Sequence, residues 1–324
     1  MLLRSKVVAV VGGAGCLGSH LCEKLLLSYN PERLIIIDDF SAGGDERNIE
    51  HLTKDTKIYR VDATKYRLMS NIFDSEKIDV VFNLAVLGLP LSLIRPKQVI
   101  EVNTQITTTL CELLRKKKYK TLIHTSSSEA YGTAIYRHKP MDENHPTFPM
   151  TPYAASKLAC DHIVLSYSKT FGLDTAIVRP FNFYGPRAHE KGYASVVTTT
   201  INRILDKKPP IIHGDGLQTR DYVYVEDVAE IIPKFYEVEA TRNRVINIAG
   251  GREIAIKDLI HLIMKLMNYS GRVIYSRPRI GDVRRMRADI SLAKELLNYV
   301  PKTGYQEGLK KTIDWHRKIR EEEK

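Results

Sequence analysis

The chain has 324 residues, 43% of them hydrophobic, and a formal net charge of +11 at pH 7. That is enough for one large α/β unit with a smaller appended part, and no apolar run is long enough to span a bilayer. The positive charge is spread along the chain, which argues against a nucleic-acid ligand. Its densest cluster, Arg115 to Lys120, falls where a helix should end and meets the negative end of the helix dipole.

The start, MLLRSKVVAVV, runs straight into a predicted strand, Val7 to Val11, so no signal peptide is expected. Then come Gly12, Gly15 and Gly18, followed by an amphipathic helix. GxxGxxG alone is a weak signal, but between a strand and a helix it is what a dinucleotide-phosphate turn requires. Glycine lets the backbone approach a pyrophosphate, and a helix amino terminus offers unpaired N–H groups and a positive dipole end. A second apolar run, LIIIDD, ends in Asp38, twenty residues beyond Gly18. That is the spacing of the carboxylate that binds the adenosine ribose hydroxyls, and a carboxylate there repels a 2′-phosphate, so NAD is expected rather than NADP. Asp39 is the alternative contact.

Further apolar runs follow at Ile58 to Val61, Val80 to Leu84, Leu122 to Thr125 and Thr175 to Arg179, separated by helix-like stretches. This alternation predicts a parallel, doubly wound sheet of Rossmann type, with ligands at the carboxyl ends of its strands. From Phe181 the chain is richer in loops. The expected division is a dinucleotide-binding domain over 1–180, rejoined by 223–249, and a smaller carboxyl-terminal lobe over 181–324. Four cysteines, Cys16, Cys22, Cys111 and Cys160, show no CxxC pair or metal-ligand grouping. They read as reduced, buried small hydrophobes of a cytoplasmic protein, with no metal site.

The chemistry concentrates in TSSSEAYG (Thr125 to Gly132) and YAASK (Tyr153 to Lys157). Positions i and i+4 share a helix face, so the Lys157 ammonium can approach the Tyr153 phenol. A free tyrosine has a pKa of about 10, and service as a base near pH 7 requires roughly 4 kcal/mol of phenolate stabilisation. A neighbouring lysine and an oxidised nicotinamide are charges of the right sign. The bland alternative, a tyrosine packed on a core beside a snorkelling lysine, does not explain the glycine turn and the Ser-rich segment in the same chain.

These motifs identify the chain as resembling the extended short-chain dehydrogenases/reductases of the nucleotide-sugar epimerase/dehydratase family. The match covers nearly the whole length: VDATKY, NLAV (Asn83 to Val86), Asn103, RPFNFYGPR (Arg179 to Arg187), GDGLQTRDYVYVEDV (Gly214 to Val228) and RPRIGDVRRMRADISLAKELL join those above. Departures are Asn83 where His is usual, Val86 for Ala and Ser127 for Thr; none removes a group that hydride chemistry needs. The resemblance implies that Asp62 contacts adenine, that Ala85 lines the cofactor, and that Asn182, Arg220, Arg279, Asp282 and Arg187 contact the nucleotide sugar, with uridine the commoner nucleotide. Arg220 has a competing reading as an ion pair with Asp221. Arg284, Arg285 and Arg287 lie too near Asp282 in sequence to be separated from it. His124 reads as a core histidine and His213 as a strand residue. The family also implies a homodimer through the helices bearing Thr104 to Leu114 and Tyr153 to Tyr167.

The expected first step takes the proton of the sugar carbon 4 hydroxyl onto Tyr153, with Ser127 hydrogen-bonded to that oxygen and hydride passing to NAD. Ser128 and Glu129 resemble the Thr-Ser-Glu segment of hexose 4,6-dehydratases and nucleotide-sugar decarboxylases. A nucleotide-hexose 4,6-dehydratase is therefore the leading expectation. A UDP-sugar 4-epimerase, in which Glu129 would be a structural acid, stands beside it. A UDP-glucuronate decarboxylase and a non-catalytic NAD-binding protein follow; the latter would have no need of Ser127, Tyr153 and Lys157 together.

Overall fold

The computed structural model describes residues 2–52, 56–136, 138–188 and 195–322. Strands β1 (Val7–Val11), β2 (Arg33–Asp38), β3 (Thr56–Arg60), β4 (Val80–Asn83), β5 (Thr121–Thr125) and β6 (Asp174–Pro180) alternate with helices α1 (Cys16–Lys24), α2 (Tyr66–Glu76), α3 (Leu89–Ser92), α4 (Pro96–Arg115) and α5 (Pro152–Phe171). After β6 come β7 (Asn182–Tyr184), α6 (Val196–Leu205), β8 (Ile211–His213), β9 (Thr219–Tyr224), α7 (Val225–Ile231), α8 (Lys234–Glu237) and β10 (Val245–Ile248). Then follow β11 (Glu253–Ala255), α9 (Ile256–Leu266), β12 (Ile274–Ser276), α10 (Ser291–Leu297) and α11 (Tyr305–Glu322).

The main sheet is a Rossmann-type, seven-stranded, all-parallel array in the order β10-β6-β5-β4-β1-β2-β3. Strand alternation divides its core in two. Val8, Val10, Leu34, Ile36, Phe82 and Ile123 face one side with Leu17 and Leu21 of α1 and Val228 of α7. Val7, Ala9, Val11, Ile35, Val81 and Leu122 face the other with Met69 of α2, Leu110 of α4 and Val164 of α5. Burial on both faces is why these strands are continuous apolar runs rather than alternating ones.

The chain order reverses between β1 and β4, which opens a crevice at the carboxyl ends of the strands. Over it lies a smaller lobe holding a three-stranded sheet, β11-β9-β7, and a two-stranded one, β12-β8. Its own core is built by Val197 and Ile201 of α6, Leu259, Ile260 and Ile263 of α9, and Leu309 and Ile313 of α11. Among the described residues no helix is long and apolar enough to cross a membrane.

Candidate functional site

A cavity of about 630 Å³ occupies the crevice. At one end lies the turn from β1 into α1. A Cβ at Gly12 would stand 2.5 Å from the Ala85 backbone nitrogen, and one at Gly18 would stand 2.1 Å from the Gly12 carbonyl oxygen, so neither position admits a side chain. Gly15 begins α1 and no side chain caps it, which leaves the first N–H groups of the helix for an anion. Asp38, at the end of β2, accepts from the Ala14 amide at 2.9 Å and the Phe40 amide at 2.8 Å. Burial raises its pKa against those hydrogen bonds. Asp39 is exposed and folds onto the Ser41 amide, 3.0 Å away, so of the two acids Asp38 is the one fixed against the turn. Asp62 is held by Thr64 at 2.9 Å, and Asp38, Asp39, Asp62 and Ala85 all line the cavity. A glycine cradle that any Cβ would fill, an uncapped helix start and a carboxylate on β2 fit a dinucleotide.

At the middle of the cavity, Ser127 leaves β5 and starts a single 3-10 turn, Ser128–Tyr131, its Oγ accepting from the Glu129 amide at 3.3 Å. Thr151 caps α5 by accepting from the Ala154 amide at 3.1 Å, with Pro152 in the first turn, which sets Tyr153 facing Ser127. The phenol hydrogen-bonds Ser127; burial pushes Tyr153 up to about 12 and that hydrogen bond opposes the rise. Lys157, buried one turn on, donates to the Thr125 carbonyl at 2.5 Å. Burial lowers its pKa, and Cys160 and Asp161 counter this. Within the protein, then, the Ser127 hydrogen bond eases ionisation of the phenol.

Beneath these residues Asp161 pairs with Arg179 at 2.7 Å and accepts from Ser126 Oγ at 2.6 Å, all three buried. Arg179 also covers the Tyr131 ring, 4.4 Å from its centroid. His124 is a buried residue, as its place at a strand end suggests; its Nδ1 meets Asn83 at 3.1 Å and burial drives its pKa well down. Neither Asp161 nor its pairing was drawn from the sequence, although it stands four residues beyond Lys157 on the same helix face.

Ser128 is buried, whereas Glu129 keeps part of its surface open to the cavity. Among the described residues nothing hydrogen-bonds its carboxylate. Its pKa is raised by burial, lowered by Arg220 and raised again by Asp282.

At the far end stand Asn182, Arg220, Arg279 and Asp282. Arg220 pairs with Asp282 and donates to the Thr219 carbonyl at 2.9 Å. The alternative pairing with Asp221 does not form: Asp221 is buried and accepts from the Gly250 and Ala288 amides at 2.9 and 3.1 Å. Asn182 meets Met286 Sδ at 3.5 Å, and Gln218, which sequence reasoning missed, reaches Asp282 at 3.2 Å. The Arg279 carbonyl accepts from the Asp282 amide at 3.3 Å, while its guanidinium has no hydrogen bond or ion pair with a described residue and is available to an anion. His213 donates to the Arg277 carbonyl at 3.2 Å and lines the same end.

Arg187 pairs with Glu23 of α1 at 2.7 Å and lines the cavity. Two expectations change. The basic run does separate from Asp282, because Arg284 pairs with Asp215 at 2.8 Å and Arg285 meets Glu253 at 3.0 Å. Cys16 is not fully buried: it lines the cavity and its Sγ donates to the Pro186 carbonyl at 3.3 Å, while the other three cysteines are buried.

Comparison with known proteins gives a consistent picture. Residues 8–249 match the model of the NAD dependent epimerase/dehydratase family. The chain is similar to the UDP-glucose 4-epimerase of Mycolicibacterium smegmatis, 31% identical over 95% of this chain and 97% of that one. It is also similar to the dTDP-D-glucose 4,6-dehydratase of Homo sapiens, 30% identical over 97% of this chain and 90% of that one. Among solved structures it superposes on the UDP-glucose 4-epimerase of Thermotoga maritima, crystallised with UDP-glucose, with a TM-score of 0.90, 31% identity, and coverage of 97% of this chain and 99% of that one.

Proposed function

Because the chain belongs to the NAD dependent epimerase/dehydratase family and is thus an NAD-dependent enzyme, we propose that it is a nucleotide-hexose 4,6-dehydratase acting on a UDP-linked sugar. The observation that carries this reading is Glu129: a carboxylate open to the cavity, without a hydrogen-bonding partner among the described residues, and made more basic by burial. A carboxylate kept for structure would be paired, as Glu253 and Glu76 are.

NAD, when bound, supplies the hydride acceptor and donor, and the glycine turn, Asp38, Asp62, Ala85 and Lys157 are the residues that would hold it. Tyr153 takes the proton of the carbon 4 hydroxyl as that carbon becomes a ketone, and Ser127 steadies the oxygen. The ketone acidifies the proton on carbon 5; Glu129 removes it and passes it to the carbon 6 hydroxyl, which departs as water, and a proton from solvent later returns to carbon 5; Ser128 lies beside Glu129 in the same turn. Asn182, Arg220, Arg279 and Asp282 would grip the diphosphate and the nucleoside.

A second reading, a UDP-sugar 4-epimerase, is favoured by the full-length similarity to the M. smegmatis and T. maritima enzymes. It uses Ser127 and Tyr153 alike and leaves Glu129 idle. Product mass separates the two when the protein is given nucleotide hexoses without reductant. Loss of one water supports the dehydratase; unchanged mass with inverted carbon 4 by NMR supports the epimerase and refutes a chemical role for Glu129. Tyr153→Phe should abolish either reaction while NAD stays bound. We also infer a homodimer through α4 and α5, which pack along each other, and a cytoplasmic location, which four unpaired cysteines favour. Light scattering that finds a monomer would refute the dimer.

A further inference from the structure

From Leu84 to Ile94 the chain reads LAVLGLPLSLI. It crosses the glycine turn at Ala85 and is pinned at Leu87, whose amide donates to Asn103 Oδ1 at 2.8 Å and whose carbonyl accepts from Asn103 Nδ2 at 3.1 Å. It then forms α3, which packs on α4 and on α5, the helix that carries Tyr153. Most of this segment lines the cavity. The single hydrogen-bonding side chain in it is Ser92, which is buried and donates to the Leu89 carbonyl at 2.8 Å, so the wall offers a ligand no polar side chain.

The apolar character continues outward. Leu93 is 51% exposed and Ile94 76%, both on the cavity lining. Ile280, 89% exposed, lines it as well, on a loop seated against the start of α5: a Cβ at Gly281 would lie 2.8 Å from Thr151 Cγ2. Two independent elements thus hold large apolar side chains in water beside the helix of the catalytic tyrosine, an arrangement that favours burying apolar surface when the site fills. A sugar face rich in free hydroxyls would lose its water against this wall and gain no hydrogen bond in return. A carboxylated sugar would meet no cation from it.

We infer that the substrate is a nucleotide hexose whose ring carries an apolar acyl group, of which N-acetyl is the smallest, directed at the wall formed by Leu89, Leu93, Ile94 and Ile280. This rests on the cavity being a nucleotide-sugar site and names the class of sugar that enters it. The test is calorimetric titration of NAD-loaded Tyr153→Phe protein, which cannot turn the sugar over, with matched UDP-hexose and UDP-N-acetylhexosamine pairs, repeated with the thymidine diphosphate pairs and with an N-butanoyl homologue. The N-acetyl sugar should bind about tenfold tighter than the free hexose, the scale of small apolar groups in hydrophobic pockets, and the butanoyl homologue at least as tightly again. In Leu93→Asn/Ile94→Asn the preference should fall to near parity with NAD affinity unchanged; both side chains are exposed, so folding should be retained. Equal affinity for hexose and N-acylhexosamine, or a preference that survives the double substitution, overturns the inference while the nucleotide-sugar reading stands. Binding of NAD but of no nucleotide sugar overturns both.

Discussion

Asp161→Asn is expected to destabilise the protein by about 3–5 kcal/mol, the usual cost of removing one partner of a buried ion pair. Asp161 and Arg179 are 1% and 4% exposed, and their side chains meet at 2.7 Å. Without the carboxylate, the Arg179 guanidinium stays buried with the Tyr131 ring face, a contact worth about 0.5–2 kcal/mol, and a weak 3.4 Å hydrogen bond to Ser126. Asparagine can still accept from Ser126, so the loss is mainly of charge. For a chain of this size each kcal/mol moves the melting point by roughly 2 °C, which predicts a fall of about 6–10 °C by scanning calorimetry. Asp161 also opposes the lowering of the Lys157 pKa by burial. Removing it lowers that pKa further, so the alkaline limb of the pH–rate profile should move to lower pH. A variant that melts within about 2 °C of the parent, equivalent to about 1 kcal/mol, with an unmoved alkaline limb would refute the reasoning.

Gly18→Ala forces a methyl to within 2.1 Å of the Gly12 carbonyl, which is backbone and cannot move aside. It should cost about 1–3 kcal/mol in stability and abolish retention of NAD through gel filtration; full NAD content would show the turn to be slack. Burial raises Asp221 to about 7, so between about pH 4 and 7 the folded chain holds a proton that the unfolded chain has released, and this group's contribution to stability falls as pH rises across that window. Asp221→Asn should flatten that slope; an unchanged pH dependence would mean that Asp221 is ionised in the folded state. Glu129→Gln, assayed in deuterium oxide, should lose incorporation of deuterium at carbon 5 if the carboxylate moves that proton, and retained incorporation would remove Glu129 from the mechanism.

The main sheet was legible because its strands are buried on both faces and so appear as unbroken apolar runs. β3 shows the limit: it lies at an edge with none of its residues fully buried, and Ile58 to Val61 captures only its second half. β7, β8, β12 and α3 span three or four residues each and leave no periodic trace. In the site, Tyr153 and Lys157 were readable from helix spacing, and Gly12, Gly18 and Asp38 from the turn and strand around them. The partner of Arg220 was not, because Asp282 lies 62 residues away along the chain, nearer in space than its sequence neighbour Asp221. The partner of Arg187 was hidden for the same reason: Glu23 lies far upstream on α1. The open carboxylate of Glu129 and the apolar wall before α4 depend on what packs around them, which local pattern does not encode.

The excursion between β6 and β10 has a further meaning for how such a chain changes over time. It leaves the sheet after Pro180 and returns at Val245, where β10 pairs with β6 in register, so both its ends are anchored to the same strand pair. The entropy of closing such a loop grows only logarithmically with length, each doubling costing about 0.6 kcal/mol. Insertions into its loops before α7, beside the segments that carry Asn182 and Arg220, therefore burden the stability of the sheet very little, whereas Val228 of α7 packs in the core of the sheet and stays tied to it. One half of the ligand cavity can diverge while the glycine turn and the Ser127–Tyr153–Lys157 group stay fixed on the frame.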